Sequence, residues 1–306
     1  MLPVKIVCRL QFVFLVSFFQ PAIAQQSPVE NIFPKGTVTY GDISYANDAD
    51  KKHLLDIYLP AGTKNNLPMI VWVHGGAWMM NDKYADMSYM KNTVKGFIDS
   101  GYAFASIDYR HSTTAIFPAQ IQDCNAAIEF LYNHASEYKI DKNKIAVIGF
   151  SAGGHLASLL ALSNNSTIKD FYKDGIQPSF KIKCAIDFYG PSDLLMLASI
   201  PDTSINNKRN PVAVLLGAMQ VDRPDLAKHA SPVTYVDSND PPFLIIQGEK
   251  DESVPNTQSK VLSSWLTLVG VKNQLIMVKD APHYGKMFDS EFNRKNIFAF
   301  LADNLR

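Results

Sequence analysis

A serine flanked by glycines, in the segment Gly149-Phe150-Ser151-Ala152-Gly153, stands between two apolar stretches near the middle of the chain. The residues before it, 144–148, are apolar and mostly β-branched and predict a buried strand, whereas the residues after it, 154–162, predict a helix. A strand, a sharp turn with serine at its apex and a helix form the pattern of a nucleophile elbow. Glycines permit the strained turn and the close approach of helix and strand. The segment therefore predicts a sheet that is covered by a closely packed helix.

Strand-like and helix-like segments alternate from about residue 37 to the end of the chain. The predicted strands are 38–45, 54–59, 69–73, 103–107, 144–148, 182–188, 243–247 and 274–278, and the predicted helices are 87–100, 118–138, 154–162, 255–269 and 290–305. The first two strands are expected to form an antiparallel pair. Alternation of this kind favours a mostly parallel sheet with helices on both faces. The sequence therefore predicts one α/β domain, residues 25–306, with an eight-stranded sheet.

The segment from 191 to 232 breaks this alternation. It mixes short apolar runs, at 194–197 and 212–216, with a polar loop at 204–210. We interpret it as a small helical cap inserted after the sixth strand, near the sheet edge where ligands bind in α/β folds. A second domain is the weaker alternative, because the segment lacks an apolar core of its own.

The first 24 residues have the composition of a secretory signal peptide. Lys5 and Arg9 form a positively charged start, residues 10–19 are apolar, and Ala22-Ile23-Ala24 provides a small-residue cleavage site. The apolar run is short for a membrane span. We therefore expect a mature chain that begins near Gln25, is secreted or periplasmic and has no stable membrane anchor, an uncleaved anchor being the alternative.

The charge balance does not indicate a nucleic-acid partner. Lys plus Arg equals Asp plus Glu, at 29 each, so the chain has no excess of positive charge.

The cysteines are not expected to form a disulfide or a metal site. Cys124 and Cys184, on separate predicted core elements, are expected to be buried free thiols. No His, Cys and carboxylate cluster has metal-ligand spacing, so neither a metal nor a cofactor is expected.

A serine that attacks an acyl group needs a base and a group that orients the base. Among the seven histidines, His283 follows the last predicted strand and precedes the last helix, which places it at the same sheet edge as Ser151. The acid should follow the preceding strand. There Asp251 is the preferred candidate, with Glu249 and Glu252 as rivals.

The donors for a developing oxyanion should come from the loop after the third strand. This loop reads His74-Gly75-Gly76-Ala77-Trp78, and small residues leave its main-chain N–H groups uncovered. Gly76 and Ala77 are the expected donors, with Gly75 possible, together with the N–H of Ala152 beside the serine. His74 is interpreted as a brace for the loop, and Trp78 as a wall of the acyl site or as core.

Together these residues resemble the α/β-hydrolase superfamily, and within it secreted esterases near the hormone-sensitive-lipase group, particularly the bifunctional feruloyl and acetyl-xylan esterase family. The segments that carry the resemblance are 55–60, 74–78, 107–110, 117–120, 149–157, the Asp251 loop and His283. Two features depart from the family. Gln247-Gly248 stands where His-Gly is frequent, a difference expected not to touch the triad, and Ala77 replaces a glycine of the hormone-sensitive-lipase relatives.

The resemblance implies a serine carboxylic-ester hydrolase that acts through an acyl-enzyme, on short-chain or carbohydrate-linked esters such as acetyl or feruloyl groups on xylan. A prolyl-oligopeptidase-type peptidase and an arylformamidase-like amide hydrolase share the machinery and remain alternatives. A non-catalytic binding protein on the same scaffold is the alternative from another class. Tyr109, Tyr189 and Tyr284 are candidates for a substrate-binding rim or for the core. Asp108 and Arg110 are interpreted as structural.

Overall fold

A computed structural model of the protein describes residues 29–64, 66–197 and 210–305. Eight strands form one sheet in the order β1-β2-β4-β3-β5-β6-β7-β8. They are β1 Val38–Ser44, β2 Leu54–Leu59, β3 Leu67–Val73, β4 Ala103–Ile107, β5 Ile140–Phe150, β6 Ile182–Phe188, β7 Phe243–Gly248 and β8 Asn273–Val278. β1 pairs antiparallel with β2 and β2 with β4, and every other pairing is parallel. The predicted mostly parallel, eight-stranded α/β fold is confirmed.

Helices cover both faces of this sheet. They are α1 Lys91–Asp99, α2 Ala119–Asn133, α3 Ala152–Ser163, α4 Leu194–Leu197, α5 Pro211–Leu216, α6 Pro224–Ala230, α7 Thr257–Leu268 and α8 Glu291–Leu305. Successive β3 residues point to opposite faces, because a strand has a side-chain period of two. Val71 and Val73 accordingly join the core under α2, α3 and α7, while Trp72 joins the core under α1 and α8. The strands are therefore buried on both sides.

Several predicted boundaries differ from those observed. The helix predicted at 87–100 begins only at Lys91, because 84–90 forms turns that carry side chains toward the site described below. The helix predicted at 118–138 ends at Asn133, and Lys139 takes a φ of +57° before β5. β5 begins at Ile140, four residues earlier than predicted, because Ile140 pairs with Leu67 of β3.

The two cysteines lie on opposite faces of the sheet. Cys124 of α2 is in one core and Cys184 of β6 is in the other, and both are buried free thiols. This is the arrangement expected from the sequence. The sheet itself prevents a disulfide between them.

Three short helices, α4, α5 and α6, lie within the predicted cap, whose residues 198–209 are outside the described ranges. The Asn210 side-chain oxygen accepts hydrogen bonds from the N–H groups of Val212 and Ala213, which fixes the start of α5. Apolar residues of these helices, such as Leu194, Leu215 and Ala230, pack in the same core as α3. The described part of the cap therefore shares the core of the main sheet.

The N-terminal residues 1–24, predicted to be a signal peptide, lie outside the described ranges. Within those ranges, every helix is too short or too polar to cross a lipid bilayer.

Candidate active site

Ser151 stands at the sharp turn between β5 and α3. It takes φ +53° and ψ −117°, a conformation that non-glycine residues rarely adopt. Glycine is required on both sides of it. A Cβ on Gly149 would lie 1.9 Å from the carbonyl oxygen of Gly153, and a Cβ on Gly153 would lie 2.1 Å from that of Val73. The local sequence thus lets α3 approach the strands closely enough to hold the Ser151 hydroxyl above the sheet edge.

The structure brings Ser151, His283 and Asp251 together, although they are far apart in the chain. His283 Nε2 lies 2.8 Å from Ser151 Oγ, and His283 Nδ1 lies 2.7 Å from Asp251 Oδ2. Because the carboxylate can only accept, Nδ1 carries the proton, and Nε2 is left to accept from the serine hydroxyl. The first distance is within the reach needed for proton transfer, and the second is that of a hydrogen bond that orients the ring. The geometry is that of a base between a nucleophile and an orienting acid.

Asp251, rather than its rivals, makes the contact with His283. Its side chain is fully buried, and Oδ1 accepts the N–H groups of Ser253 and Val254 at 2.9 and 2.8 Å. Glu249 is exposed and accepts the N–H of Asp280, whereas Glu252 is exposed and lines the cavity described below. The short aspartate side chain is therefore held rigidly by its own loop.

The loop after β3 presents free main-chain donors next to Ser151. Gly76 and Ala77 have φ values of +126° and +52°, and a Cβ on Gly76 would lie 2.3 Å from the Met80 carbonyl oxygen. Within the described part of the chain, the N–H groups of Gly76, Ala77 and Ala152 have no protein acceptor. Ala152 is also the first residue of α3, where the helix dipole favours negative charge. These three donors can stabilise an oxyanion.

The expectation that Gly75 donates to the oxyanion is wrong. Its N–H donates to the buried Asp86 Oδ2 at 2.7 Å, so it is already occupied. Asp86 Oδ1 accepts the hydroxyl of Tyr89 at 2.6 Å. Burial raises the pKa of the Asp86 carboxyl. Asp86 therefore fixes the beginning of the donor loop, a role that no sequence motif indicates.

His74 braces the same loop from inside the fold, in the way the sequence suggested. It is fully buried, its ring stacks on that of Tyr109, and Nδ1 donates to the Gly75 carbonyl at 2.7 Å. Burial lowers the pKa of His74 to about 3, so it is neutral at physiological pH. Tyr109 donates to the His74 carbonyl, is fully buried and does not line the cavity. Tyr109 therefore belongs to the core and not to a substrate-binding rim.

Trp78 lines the cavity and is tied to the cap through His155. Trp78 Nε1 donates to His155 Nδ1 at 3.2 Å, and His155 Nε2 donates to the Ala230 carbonyl of α6 at 2.7 Å. The bond from Trp78 needs a neutral imidazole, because Nδ1 accepts it and cannot do so when protonated. Burial lowers the pKa of His155 to about 4, which keeps that form. His155 thus connects the donor loop, α3 and the cap, a role that sequence reasoning missed.

The two remaining tyrosine candidates differ in exposure. Tyr189 is buried, its ring meets that of His283 edge-on at 4.9 Å between centroids, and its hydroxyl lies 2.8 Å from the hydroxyl of Tyr89. Tyr284 is 67% exposed at the cavity wall. Tyr189 therefore supports His283 from within the site, whereas Tyr284 is available at the rim.

Asp108 and Arg110 pair within the fold, but not with each other. Asp108 accepts from Lys52 Nζ at 3.0 Å, and Arg110 forms a bidentate pair with Asp123. Burial raises the pKa of Asp108 to about 6. Neither residue lines the cavity, which agrees with a structural role.

Gln247 contradicts the expectation that it would not touch the triad. It is fully buried, and its Nε2 donates to Asp251 Oδ2 at 2.9 Å. The expectation failed because Gln247 is placed by strand geometry. It lies near the end of β7, and the loop that follows turns Asp251 back over it.

A cavity of about 1000 Å³ opens above Ser151. We call its two walls the sheet side and the cap side. The sheet side consists of Gly75, Gly76, Ala77, Trp78, Ser151, Ala152, Tyr189 and His283, and the cap side of Leu197, Asn210, Pro211, Val212, Met219, Gln220 and Val221. The cap side is mostly apolar, but Gln220 is buried there with a side-chain oxygen that has no hydrogen-bond partner in the described parts of the chain. Among the described residues, no cluster of His, Cys, Asp or Glu could hold a metal ion.

Known proteins are similar in sequence to most of this chain. The family model BD-FAE matches residues 55–266. Esterase LipQ of Mycobacterium tuberculosis is 32% identical over 261 residues, which is 81% of this chain and 57% of that protein. The chain spans little more than half the length of this relative and of the probable carboxylic ester hydrolase LipM, of which it covers 56%.

Two solved structures are similar over most of the chain. A truncated form of carbohydrate esterase from gut microbiota has a TM-score of 0.81 and 30% identity, and the match covers 91% of this chain and 99% of the other. A bifunctional GH43-CE of Bacteroides eggerthii has a TM-score of 0.78 and 34% identity, over 87% of this chain and 35% of the other. These matches confirm the resemblance that the sequence motifs indicated.

Proposed function

Because the chain belongs to the BD-FAE family within the α/β-hydrolase superfamily, we propose that it is a carboxylic-ester hydrolase that forms an acyl-enzyme on Ser151. The observation that carries the proposal is the pair of short contacts that His283 makes with Ser151 and Asp251. A non-catalytic binding protein would have no physical need for this alignment.

The reaction begins when Ser151 Oγ attacks the ester carbonyl carbon and passes its proton to His283 Nε2. Asp251 keeps the imidazole oriented and stabilises the imidazolium that forms. The N–H groups of Gly76, Ala77 and Ala152 bind the oxyanion of the tetrahedral intermediate, and one such donor is worth about 3 to 4 kcal/mol in the transition state.

The intermediate then collapses, and the alcohol leaves with the proton from His283, so that the acyl group remains on Ser151. A water molecule attacks the acyl carbon while His283 Nε2 takes its proton. The second tetrahedral intermediate releases the carboxylic acid and returns the proton to Ser151 Oγ. Water and ester are the only reactants, and no cofactor takes part.

The substrate we favour is a short acyl or a feruloyl ester on a carbohydrate of the xylan type. Two features support it. The cavity is much larger than an acetyl group needs, and Tyr284 offers an exposed ring at its wall. The similar structures described as carbohydrate esterases point in the same direction. The signal-like N-terminus supports a secreted or periplasmic site of action, where such polymers are met.

The test is hydrolysis of p-nitrophenyl esters from acetate to octanoate, of methyl ferulate and of acetylated xylan, by the wild type and by Ser151→Ala. We expect activity on acetate, ferulate and acetylated xylan that is lost in the variant. A wild-type enzyme that hydrolyses none of these esters would contradict the proposal. The same enzyme preparations would then be assayed with prolyl peptides and an N-formyl arylamine, the substrates of the two amide-hydrolase alternatives.

A further inference from the structure

Gln247 contributes a hydrogen bond to the carboxylate of the candidate triad from a fully buried position. Its Nε2 donates to Asp251 Oδ2 at 2.9 Å, the same oxygen that accepts from His283 Nδ1 at 2.7 Å. The other oxygen, Oδ1, already accepts two main-chain N–H groups. The carboxylate is therefore held by four donors, and Gln247 is the only side chain other than His283 among them.

The orientation of the Gln247 amide is fixed by its surroundings. Oε1 accepts the hydroxyl of Ser259, on α7, at 2.7 Å. On the other side, Nε2 also lies 3.3 Å from each of the carbonyl oxygens of Gly248 and Val254. A flipped amide would place Oε1 against two carbonyls and a carboxylate, all of which can only accept. The donor must therefore face Asp251.

We propose that Gln247 is a positioning residue of the catalytic triad, which it serves by holding Asp251 Oδ2 in line with His283 Nδ1. This inference rests on the proposed ester hydrolysis. During acylation a positive charge forms on His283, and Asp251 must stay ionised and in place while it does so. An amide donor stabilises the negative charge on Oδ2 without changing its own charge at any working pH.

Without this donor, Asp251 Oδ2 would be held less firmly in line with His283 Nδ1, which lowers kcat. The negative charge on Oδ2 would also be less stabilised, which favours the protonated form of His283 in the resting enzyme. A lost hydrogen bond to a charged group corresponds to about a 10- to 100-fold decrease in kcat. KM should change little, because Gln247 does not line the cavity.

The experiment measures kcat, KM and the pH profile of kcat/KM on p-nitrophenyl acetate for Gln247→Met, Gln247→Glu and Gln247→His. We expect a 10- to 100-fold lower kcat in the Met variant, with the acidic limb of the profile moved to higher pH. The Glu variant, which exchanges the donor for a second carboxylate, should move that limb further. The His variant, which supplies a ring N–H donor in place of the amide, should have most of the wild-type kcat near neutral pH.

Gln120→Met is the matched control. Gln120 is also fully buried and also donates to two carbonyl oxygens, of Arg110 and Ala115, but it lies on α2 and does not line the cavity. Its replacement should lower Tm as much as Gln247→Met does, while kcat and the pH profile remain those of the wild type. A common loss of stability is thereby separated from an effect on the triad.

Two results would overturn the inference while leaving ester hydrolysis intact. One is a folded Gln247→Met enzyme with wild-type kcat and pH profile, and the other is a kcat loss that the Gln120→Met control shows equally. A wild type that hydrolyses no ester would instead refute the proposed function itself. If Gln247→Met does not fold, the Glu variant, which has the same shape, decides through its pH profile.

Discussion

The sheet side and the cap side of the cavity are built on different principles. On the sheet side, the polar side chains have defined partners and three main-chain N–H groups remain free to bind an oxyanion: His283 lies between Ser151 and Asp251, and Asp86 holds the Gly75 N–H. On the cap side, apolar side chains dominate, and the buried Gln220 oxygen has no partner among the described residues. We infer that the sheet side carries out the reaction, whereas the cap side selects the substrate.

The largest effect is expected on the sheet side, from Ser151→Ala and His283→Ala, alone and combined. Each should lower kcat about a millionfold, and the double variant should be no worse than either, because nucleophile and base act as a unit. Steady-state kinetics on p-nitrophenyl acetate measure this. Losses that multiply in the double variant would show that the two residues act independently.

Asp251→Asn should lower kcat about 10⁴-fold, less than loss of the nucleophile or base. The amide can donate to His283 Nδ1, which favours the tautomer with its proton on Nε2, facing the serine hydroxyl. Glu252→Gln, a change on the exposed rival carboxylate, is the matched control and should keep kcat within a few-fold. Equal losses in both variants would contradict the assignment of the acid.

His155 joins the two sides, and its protonation should loosen the cap. Burial lowers its folded-state pKa from the usual 6.5 to about 4, so below pH 6.5 the unfolded chain binds a proton that the folded protein does not. The free energy of unfolding should therefore fall with decreasing pH, by up to about 1.4 kcal/mol per unit, between pH 6.5 and 4.

Denaturant unfolding across this pH range, with His155→Gln as reference, isolates the effect. The glutamine amide can still donate to the Ala230 carbonyl but does not titrate. The slope of the free energy of unfolding against pH should therefore be smaller in His155→Gln, by the contribution of one proton. Other buried groups, His74 among them, titrate in both proteins and cancel. Identical slopes would mean that His155 does not titrate as the structure requires.

Asp86→Asn should lower kcat about 10- to 100-fold, because a small displacement of the oxyanion donors is costly in the transition state. Only one oxygen then remains to accept from Gly75 and Tyr89. Tyr89→Phe, which removes one of these two bonds, should cost less. A larger decrease of kcat in Tyr89→Phe than in Asp86→Asn would show that Asp86 supports the hydroxyl pair of Tyr89 and Tyr189 rather than the donor loop.

Gln220→Met should have the smallest effect, and a selective one. Its side-chain oxygen is buried, so a substrate hydroxyl reaches it only if the cap side rearranges on binding; in that case kcat/KM for methyl ferulate should fall several-fold to tenfold, and kcat/KM for the 4-O-methyl ether should not. The matched pair of esters measures the interaction directly. An equal decrease of kcat/KM for both esters would show that Gln220 only packs within the cap side.

The sheet and the candidate triad could be predicted because local rules place them. Apolar runs mark the strands, and parallel strands bring the residues that follow them to one edge, where Ser151, Asp251 and His283 meet. Asp86, Tyr89, His155 and Gln247 could not be predicted, because their contacts join segments far apart in the chain and no local motif marks them. Gly75 was assigned wrongly since its small size says nothing about which acceptor its N–H has found.

The sequence predicted a small helical cap at 191–232, but it could not predict how the cap folds over Ser151 or where each of its helices begins and ends. Its helices are only four to seven residues long, too short to show a helical period, and they are stabilised by the core of the main sheet.

The most direct test of the central claim is rapid-quench kinetics with p-nitrophenyl acetate, followed by peptide mass spectrometry of the acid-quenched enzyme. An acyl-enzyme on Ser151 predicts a burst of p-nitrophenol that approaches one equivalent per enzyme when deacylation is slow, and an acetyl group on the peptide that contains Ser151. A burst of p-nitrophenol with no acetylated Ser151, or with the acetyl group on another residue, would contradict it.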